Sequence, residues 1–497
     1  MLFVPARAVI RLRAVVAVTS SGALPCVAAV VLALVPARAQ TNCFSTHTDE
    51  LFPQNGTAGD GAGISLAMSA AGDRIVIGSS GHDHAASNDG SVYVLSDLGT
   101  PSQSEVEVRP SLSGEESVFG AAVAISAAGD VLVVGAPGFM GTSPGFMGVF
   151  VFRFDGTNWN EEWHAAGGYD NFGAQVAMNA AGDVIAVGAD VRRDFIGDFV
   201  GGVDVFRHRG GTWVYEPVPL PADVQPFDRF GGAIALSASG QLLAVRSNSH
   251  SPVVNGAVYL YERIAGVWTQ VTKIQETVAH SNWNFGVSLA LDASETEIAI
   301  GSPFYWRPGY SMGAVLLYRK SGSSWVLDHE LFGLQEGSDD NFGCSVAMTA
   351  AGDRVWVGAS GERYPSEMYP NLTTGAVYEF NRDNGTWPLQ ERRFQPNPTH
   401  GAGFGRALCV DAAGDRWAAS EPTTSLYGPI AGLVHLYDSS CSAAAVYCTA
   451  KANSLGCVPQ IAVLGRPSVS STSGFTVSVS NTRNQREGLL VYSTSGR

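Results

Sequence analysis

Residues 119–138 read FGAAVAISAAGDVLVVGAPG. Two short runs of valine, isoleucine and alanine flank an Ala-Ala-Gly-Asp step. That pattern describes two strands joined by a tight turn in which glycine supplies the positive φ. The stretch recurs. Phe172 opens FGAQVAMNAAGDVIAVGAD, Phe230 opens FGGAIALSASGQLLAVRSN and Phe285 opens FGVSLALDASETEIAIGSP. Phe342 opens FGCSVAMTAAGDRVWVGAS, Phe404 opens FGRALCVDAAGDRWAASEP, and an earlier copy starts at Ala62 with AGISLAMSAAGDRIVIGSS. The starts are 57, 53, 58, 55, 57 and 62 residues apart. A period this long, with several strand signals per unit, describes a propeller blade, so the chain is expected to be an all-β, seven-bladed β-propeller.

Each unit divides into four strands. The first follows the Phe-Gly step, as in Val123-Ala124-Ile125, and the second follows the turn, as in Val131 to Val134. The third is a Gly-x-Val-aromatic run such as Gly148-Val149-Phe150-Val151-Phe152. The fourth is expected to begin at a tryptophan: Trp159, Trp213, Trp268, Trp325 or Trp387. The last unit supplies a third strand, Leu433 to Tyr437, with no tryptophan strand after it. Thr46 to Phe52 stands where a fourth strand would stand, so an N-terminal strand is expected to complete the last blade and remove the open edge. Cys43 and Cys441 would then lie close together and could form a disulfide latch. A Cys441–Cys448 linkage within the tail is the alternative.

The 497 residues carry 15 % charged residues, 58 glycines and a formal charge of −15. Residues 1–39 read as a secretory leader. Arg7, Arg11 and Arg13 precede the apolar run Val27 to Val35, and Ala37-Arg38-Ala39 forms a small-x-small cleavage site. No stretch is long and apolar enough to span a membrane. The acidic remainder argues against a nucleic-acid partner. Cysteines 43, 344, 409, 441, 448 and 457 show no zinc-type spacing, and a Cys448–Cys457 staple would help a small tail module. The domains are therefore expected at 1–39 (leader), 40–440 (propeller) and 441–497 (a small β-rich, cysteine-containing module that reads as incomplete).

At these residues the chain resembles FG-GAP repeat proteins, the group that includes the propeller of integrin α chains. It is closer to their bacterial secreted variant, with FG-x-S-V-A, V-G-A-P, G-A-V-Y-V-F and a tryptophan strand. The likeness covers about residues 46–440. It implies a seven-bladed fold and an extracellular binding or adhesion role. One departure concerns metal. Many such repeats carry an Asp-rich calcium loop between the first two strands. Here the turn reads Ser69-Ala70-Ala71-Gly72-Asp73, Asn179-Ala180-Ala181-Gly182-Asp183 or Thr349-Ala350-Ala351-Gly352-Asp353, with a single carboxylate. Asp292 with Glu295, and Asp411 with Asp415, come nearest to a calcium set. Calcium needs six or more oxygens, so no cofactor is expected and the repeated aspartate reads as a turn residue bonding its own backbone.

In a four-stranded meander, the 1–2 and 3–4 turns emerge at one face and the 2–3 loops and blade-to-blade connections at the other. The first face is uniform here and the second varies, so recognition is expected on the second. Its aromatics are the candidate ligand contacts: Tyr305, Trp306, Arg307 and Tyr310 first, then Tyr364 with Tyr369 and Phe195 with Phe199. Phe139, Phe146, Phe304 and Tyr427 share that face, as do Asp60, Asp170, Asp228 and Asp340. His82-Asp83-His84 with Asp89 is the one metal-like cluster, short of the usual set because it has no third histidine or cysteine. No nucleophile elbow, HExxH or phosphate loop is present. The expected function is non-catalytic binding of an extracellular protein or glycan. The alternatives are a secreted polysaccharide-acting enzyme on a propeller scaffold, or a surface-attached structural scaffold.

Overall fold

The computed structural model describes residues 45–439 except 85, 113, 139–147, 169, 195, 249–255, 276–283, 308–309, 312, 335–339, 366–371 and 425–429. It also describes the backbone of two further strands, Gln460–Leu464 and Thr476–Ser480. The chain divides into two compact units, 44–440 and 1–43 with 441–497. In the latter unit the two strands pair as an antiparallel hairpin, with Ala462 opposite Ser478. The leader and Cys43, Cys441, Cys448 and Cys457 lie outside the described residues, and with them both expected disulfides.

The larger unit is a ring of seven antiparallel four-stranded sheets. Blade 1 comprises Ser65–Met68, Arg74–Ser79, Ser91–Ser96 and Ser104–Val108. Blade 2 comprises Ala122–Ile125, Val131–Ala136, Gly148–Phe154 and Trp159–Ala166. Blades 3 to 6 repeat this order, starting at Gln175, Ile234, Ser288 and Phe342. In blade 7, Leu408–Val410, Arg416–Ser420 and Val434–Asp438 are completed by Thr46–Leu51 from the other end of the unit. The expected closing strand is therefore present. The tryptophan rule needs one correction. Trp159 starts its strand and Trp213, Trp268 and Trp325 stand second in theirs, whereas Trp387 lies between the Asp383–Thr386 turn and the strand Leu389–Arg393.

The repeated residues are those that must touch the next blade. The Phe of each Phe-Gly step is buried, and in blades 2, 4 and 6 its ring meets two aromatics of its own third strand. Phe119 meets Phe150 and Phe152, Phe230 meets Tyr259 and Tyr261, and Phe342 meets Tyr378 and Phe380. The glycine after it presents its carbonyl to the glycine of the preceding blade's second strand. A Cβ at Gly135 would lie 1.9 Å from the Gly173 oxygen, and one at Gly358 would lie 2.0 Å from that of Gly405. Apolar cores consequently form between blades. Val92, Val94 and Val108 of blade 1 pack with Phe119, Val134 and Phe150 of blade 2.

At the turn face a belt of backbone hydrogen bonds links the blades. The N–H groups of Ala70, Ala127, Ala180, Ala293, Ala350 and Ala412 donate to the carbonyls of Ala127, Ala180, Ala238, Ala350, Ala412 and Ala70 at 2.9 to 3.1 Å. This is the physical use of the Ala-Ala step. The aspartate's expected role also changes. The residue four before it caps the backbone, Ser126 Oγ accepting from the N–H groups of Asp130 and Val131, while Asp130 accepts from that hydroxyl at 2.8 Å. Asn179 with Asp183 and Thr349 with Asp353 do the same. Asp292 likewise spends its oxygens on Thr296 and Glu297 N–H and on the Ser294 and Thr296 hydroxyls.

Candidate functional site

Because strands run antiparallel within each blade, the 2–3 loops and the connections between blades share the face opposite the alanine belt. Leu112, Ile196, Phe227, Phe304, Leu334 and Ile430, from six different segments there, are 42 to 69 % exposed. Among the described residues, Ile264 and Val267 are exposed in one turn-face hairpin, and Val106, Val214, Tyr215, Val271, Val326 and Leu327 are exposed along the outer strands. Scattered apolar exposure is ordinary, but concentration on one face marks a recognition surface.

The aromatic candidates fall in different environments. Phe199 is half-buried beneath the Arg193 guanidinium, 3.8 Å from its ring centroid, and lies 6.1 Å from exposed Phe227. Phe227 holds a positive φ of 71°, an uncommon backbone state for an aromatic residue, and its N–H donates to the Phe199 carbonyl. Tyr364 packs edge-on against Phe394. The strands Trp306–Arg307 and Tyr310–Ser311 pair antiparallel, with Arg307 opposite Tyr310 in register. Phe139, Phe146, Phe195, Tyr369 and Tyr427 lie outside the described residues.

Tyr305 is the exception to exposure. It is buried, and its hydroxyl donates to Glu330 at 2.8 Å. It lines a cavity of about 280 Å³ between the outer strands of blades 4 and 5, with Lys273, Leu316, Tyr318, Trp325 and Glu330. This junction departs from the repeat. Arg246 stands where blades 1, 2, 3, 5 and 6 carry the close-contact glycine, and its Nε donates to the Phe285 carbonyl at 3.1 Å. Burial pushes its guanidinium down to about 10. A side-chain contact between Ser239 and Glu295 spans the two turns at this point. The arginine side chain stands where a glycine elsewhere lets the second strand meet the next blade's backbone directly.

The metal-like cluster is reordered by the structure. His82 Nδ1 meets Asp60 Oδ2 at 2.8 Å, and the His82 and His84 rings lie 4.3 Å apart. Asp83 and Asp89 do not join them, because each is spent on the loop's backbone, accepting from Asn88 N–H and His84 N–H. Glu107, from the fourth strand of blade 1, takes their place 2.7 Å from His84 Nε2. Glu107 is also bound by Ser91, Arg109 and Asn55. Although burial works against it, hydrogen bonds from Arg109 and Ser91 hold its carboxyl at about 2. Its lone pairs are used, so the cluster is a hydrogen-bonded network in the absence of metal. The aspartates ahead of the Phe-Gly step also cap and pair locally: Asp170 accepts from Phe172 N–H and from Arg192, and Asp228 from Gln225 N–H.

The FG-GAP repeat family matches residues 46–95. This segment begins on the closing strand of blade 7 and runs through the third strand of blade 1, so the sequence repeat straddles the blade boundary. No curated protein matches the chain. Among solved structures, hydrazine synthase of Kuenenia stuttgartiensis matches at 15 % identity with a TM-score of 0.49, covering 74 % of this chain and 94 % of that one. No helix among the described residues is long and apolar enough to cross a membrane.

Proposed function

From the premise that this chain is an FG-GAP-repeat β-propeller, we propose that it is a non-catalytic binding module. It engages an extracellular protein or glycan through the loop face. The observation that carries this reading is the concentration of exposed apolar side chains on that face, opposite a uniform face tied together by the alanine belt. Rigid blades below and unlike loops above suit recognition, because the scaffold limits the entropy lost when loops are ordered on binding. The groove between blades 4 and 5, with Tyr305, Lys273 and Glu330, offers an aromatic wall beside two charged groups and suits a sugar or a polar side chain. The leader-like residues 1–39 support export.

The test is a screen of the chain against extracellular-protein and glycan arrays, repeated with Phe227→Ser and Trp306→Ala. Saturable binding that weakens at least about tenfold in either variant supports the reading, since buried aromatic anchors dominate interfaces. Binding indifferent to both, or polysaccharide turnover without stable binding, overturns it.

A further inference from the structure

We propose that the closure seam of the propeller is a binding site for one divalent transition-metal ion of the zinc class, held by His47, Glu50 and His435. The site lies where the N-terminal strand Thr46–Leu51 pairs with Val434–Asp438. His47 and Glu50 are three residues apart and would point to opposite faces of a regular strand. A bulge between His47 and Asp49 removes one step from that alternation. His47 therefore stands opposite Tyr437, Glu50 stands opposite His435, and all four share one face. The ligand atoms of the two histidines and the glutamate lie within 4.8 Å of one another.

The geometry of the donors fits a tetrahedral ion. His47 Nε2 and His435 Nδ1 are 3.2 Å apart. Two nitrogens bound to zinc at about 2.0–2.1 Å stand about 3.3 Å apart at the tetrahedral angle. The other ring nitrogen of His435, Nε2, meets the Glu421 carboxylate at 2.9 Å, and both residues are 1 % exposed. That contact places the proton on Nε2 and turns the Nδ1 lone pair toward His47, which is the carboxylate–histidine–metal arrangement. Half-buried Glu50 receives no hydrogen bond or ion pair at its carboxylate among the described residues, so it has lone pairs to give. In this it differs from Glu107 of the blade 1 cluster. The repeat supplies an independent sign. The third-strand position after Gly-x-Val is Tyr93, Phe150, Tyr259 or Tyr378 in blades 1, 2, 4 and 6, and only here does it become histidine.

Without metal, the facing nitrogens share one proton, donated from His47 Nε2 to His435 Nδ1. Metal entry converts neutral His47 from its Nε2–H to its Nδ1–H tautomer, the single ring proton passing through solvent, so that no net proton is released and no oxidation state changes. Burial and the neighbouring His435 already hold the His47 imidazolium below its usual range, favouring the neutral ligand. Two histidines and a glutamate leave a fourth position for water. The ion would tie together strands 388 residues apart in sequence and so clasp the ring.

The test uses the chain from Gln40 to Arg497, stripped with chelator and titrated with zinc chloride against a chromophoric zinc chelator. One zinc per chain is expected, together with a higher urea midpoint. His435→Tyr, which restores the repeat's own residue, should lower affinity at least a hundredfold, and His47→Gln and Glu50→Gln should remove the midpoint shift. Glu421→Gln should weaken binding about 10–100-fold through the imidazole it orients. His84→Ala should bind as the parent does. Circular dichroism identifies any misfolded variant, and the conservative Glu50→Gln keeps the test intact if His435→Tyr fails to fold. No zinc retained by the parent, parental affinity in the folded seam variants, or loss of zinc in His84→Ala would each overturn the assignment.

Discussion

Replacing Gly135 by alanine should destabilise the propeller far more than its chemistry suggests. The new Cβ would stand 1.9 Å from the Gly173 carbonyl oxygen, about 1.5 Å inside the 3.4 Å at which ordinary contact begins. The obstacle is backbone, so no side chain can swing aside; blades 2 and 3 must separate. Separation strains the Trp213 Nε1–H to Glu162 bond at 3.0 Å and the Ala127 N–H to Ala180 bond at 2.9 Å. Each is worth about 1 kcal/mol, and overpacking adds about 1–3 kcal/mol. The expected cost is about 3–5 kcal/mol. Gly156→Ala is the matched control. Its φ is +98° and nothing lies within 4 Å, so backbone strain alone applies, about 1–2 kcal/mol. Urea titrations followed by tryptophan fluorescence measure both. If Gly135→Ala unfolds within about 0.5 kcal/mol of the parent, or Gly156→Ala proves the costlier change, blade contact through paired glycines is not what the repeat encodes.

Three further outcomes are expected. Phe119→Ala empties the space between Phe150 and Phe152 and should cost about 3–5 kcal/mol in the same titration. Deleting residues 46–51 exposes the edge of Val434–Asp438 and should yield concentration-dependent association by light scattering, where a monomeric product would argue against an edge-sealing role. Burial, against the pull of the Tyr378 hydrogen bond and of Arg392, raises the Glu362 carboxyl from its ordinary 4.5 to about 7. The fold then holds a proton that the unfolded chain has lost, so this group's contribution is full below pH 4.5 and fades as pH rises to about 7. Glu362→Gln should flatten the fall in urea midpoint across that window, and an unchanged slope would count against it.

Much of the fold is written locally. The Phe-Gly step, the Ala-Ala-Gly-Asp turn and the Gly-x-Val-aromatic run each recur because every blade solves the same contact with its neighbour, and such contacts leave a fixed period in the chain. Counting that period yields seven blades, and the missing tryptophan strand after Tyr437 predicts the seam. The sites are a different matter. Glu107 reaches His84 only through strand pairing in blade 1, while Asp83 and Asp89, adjacent in sequence, turn away to satisfy backbone N–H groups. Arg246 stands at a glycine position of the repeat, and its contact with the Phe285 carbonyl appears only when the facing backbone is in place. His47, Glu50 and His435 meet because a bulge, invisible in the sequence, rotates one strand's alternation and because the ring closes over 388 residues. Periodicity records what each blade needs from its neighbour, and closure alone decides which distant side chains share a face.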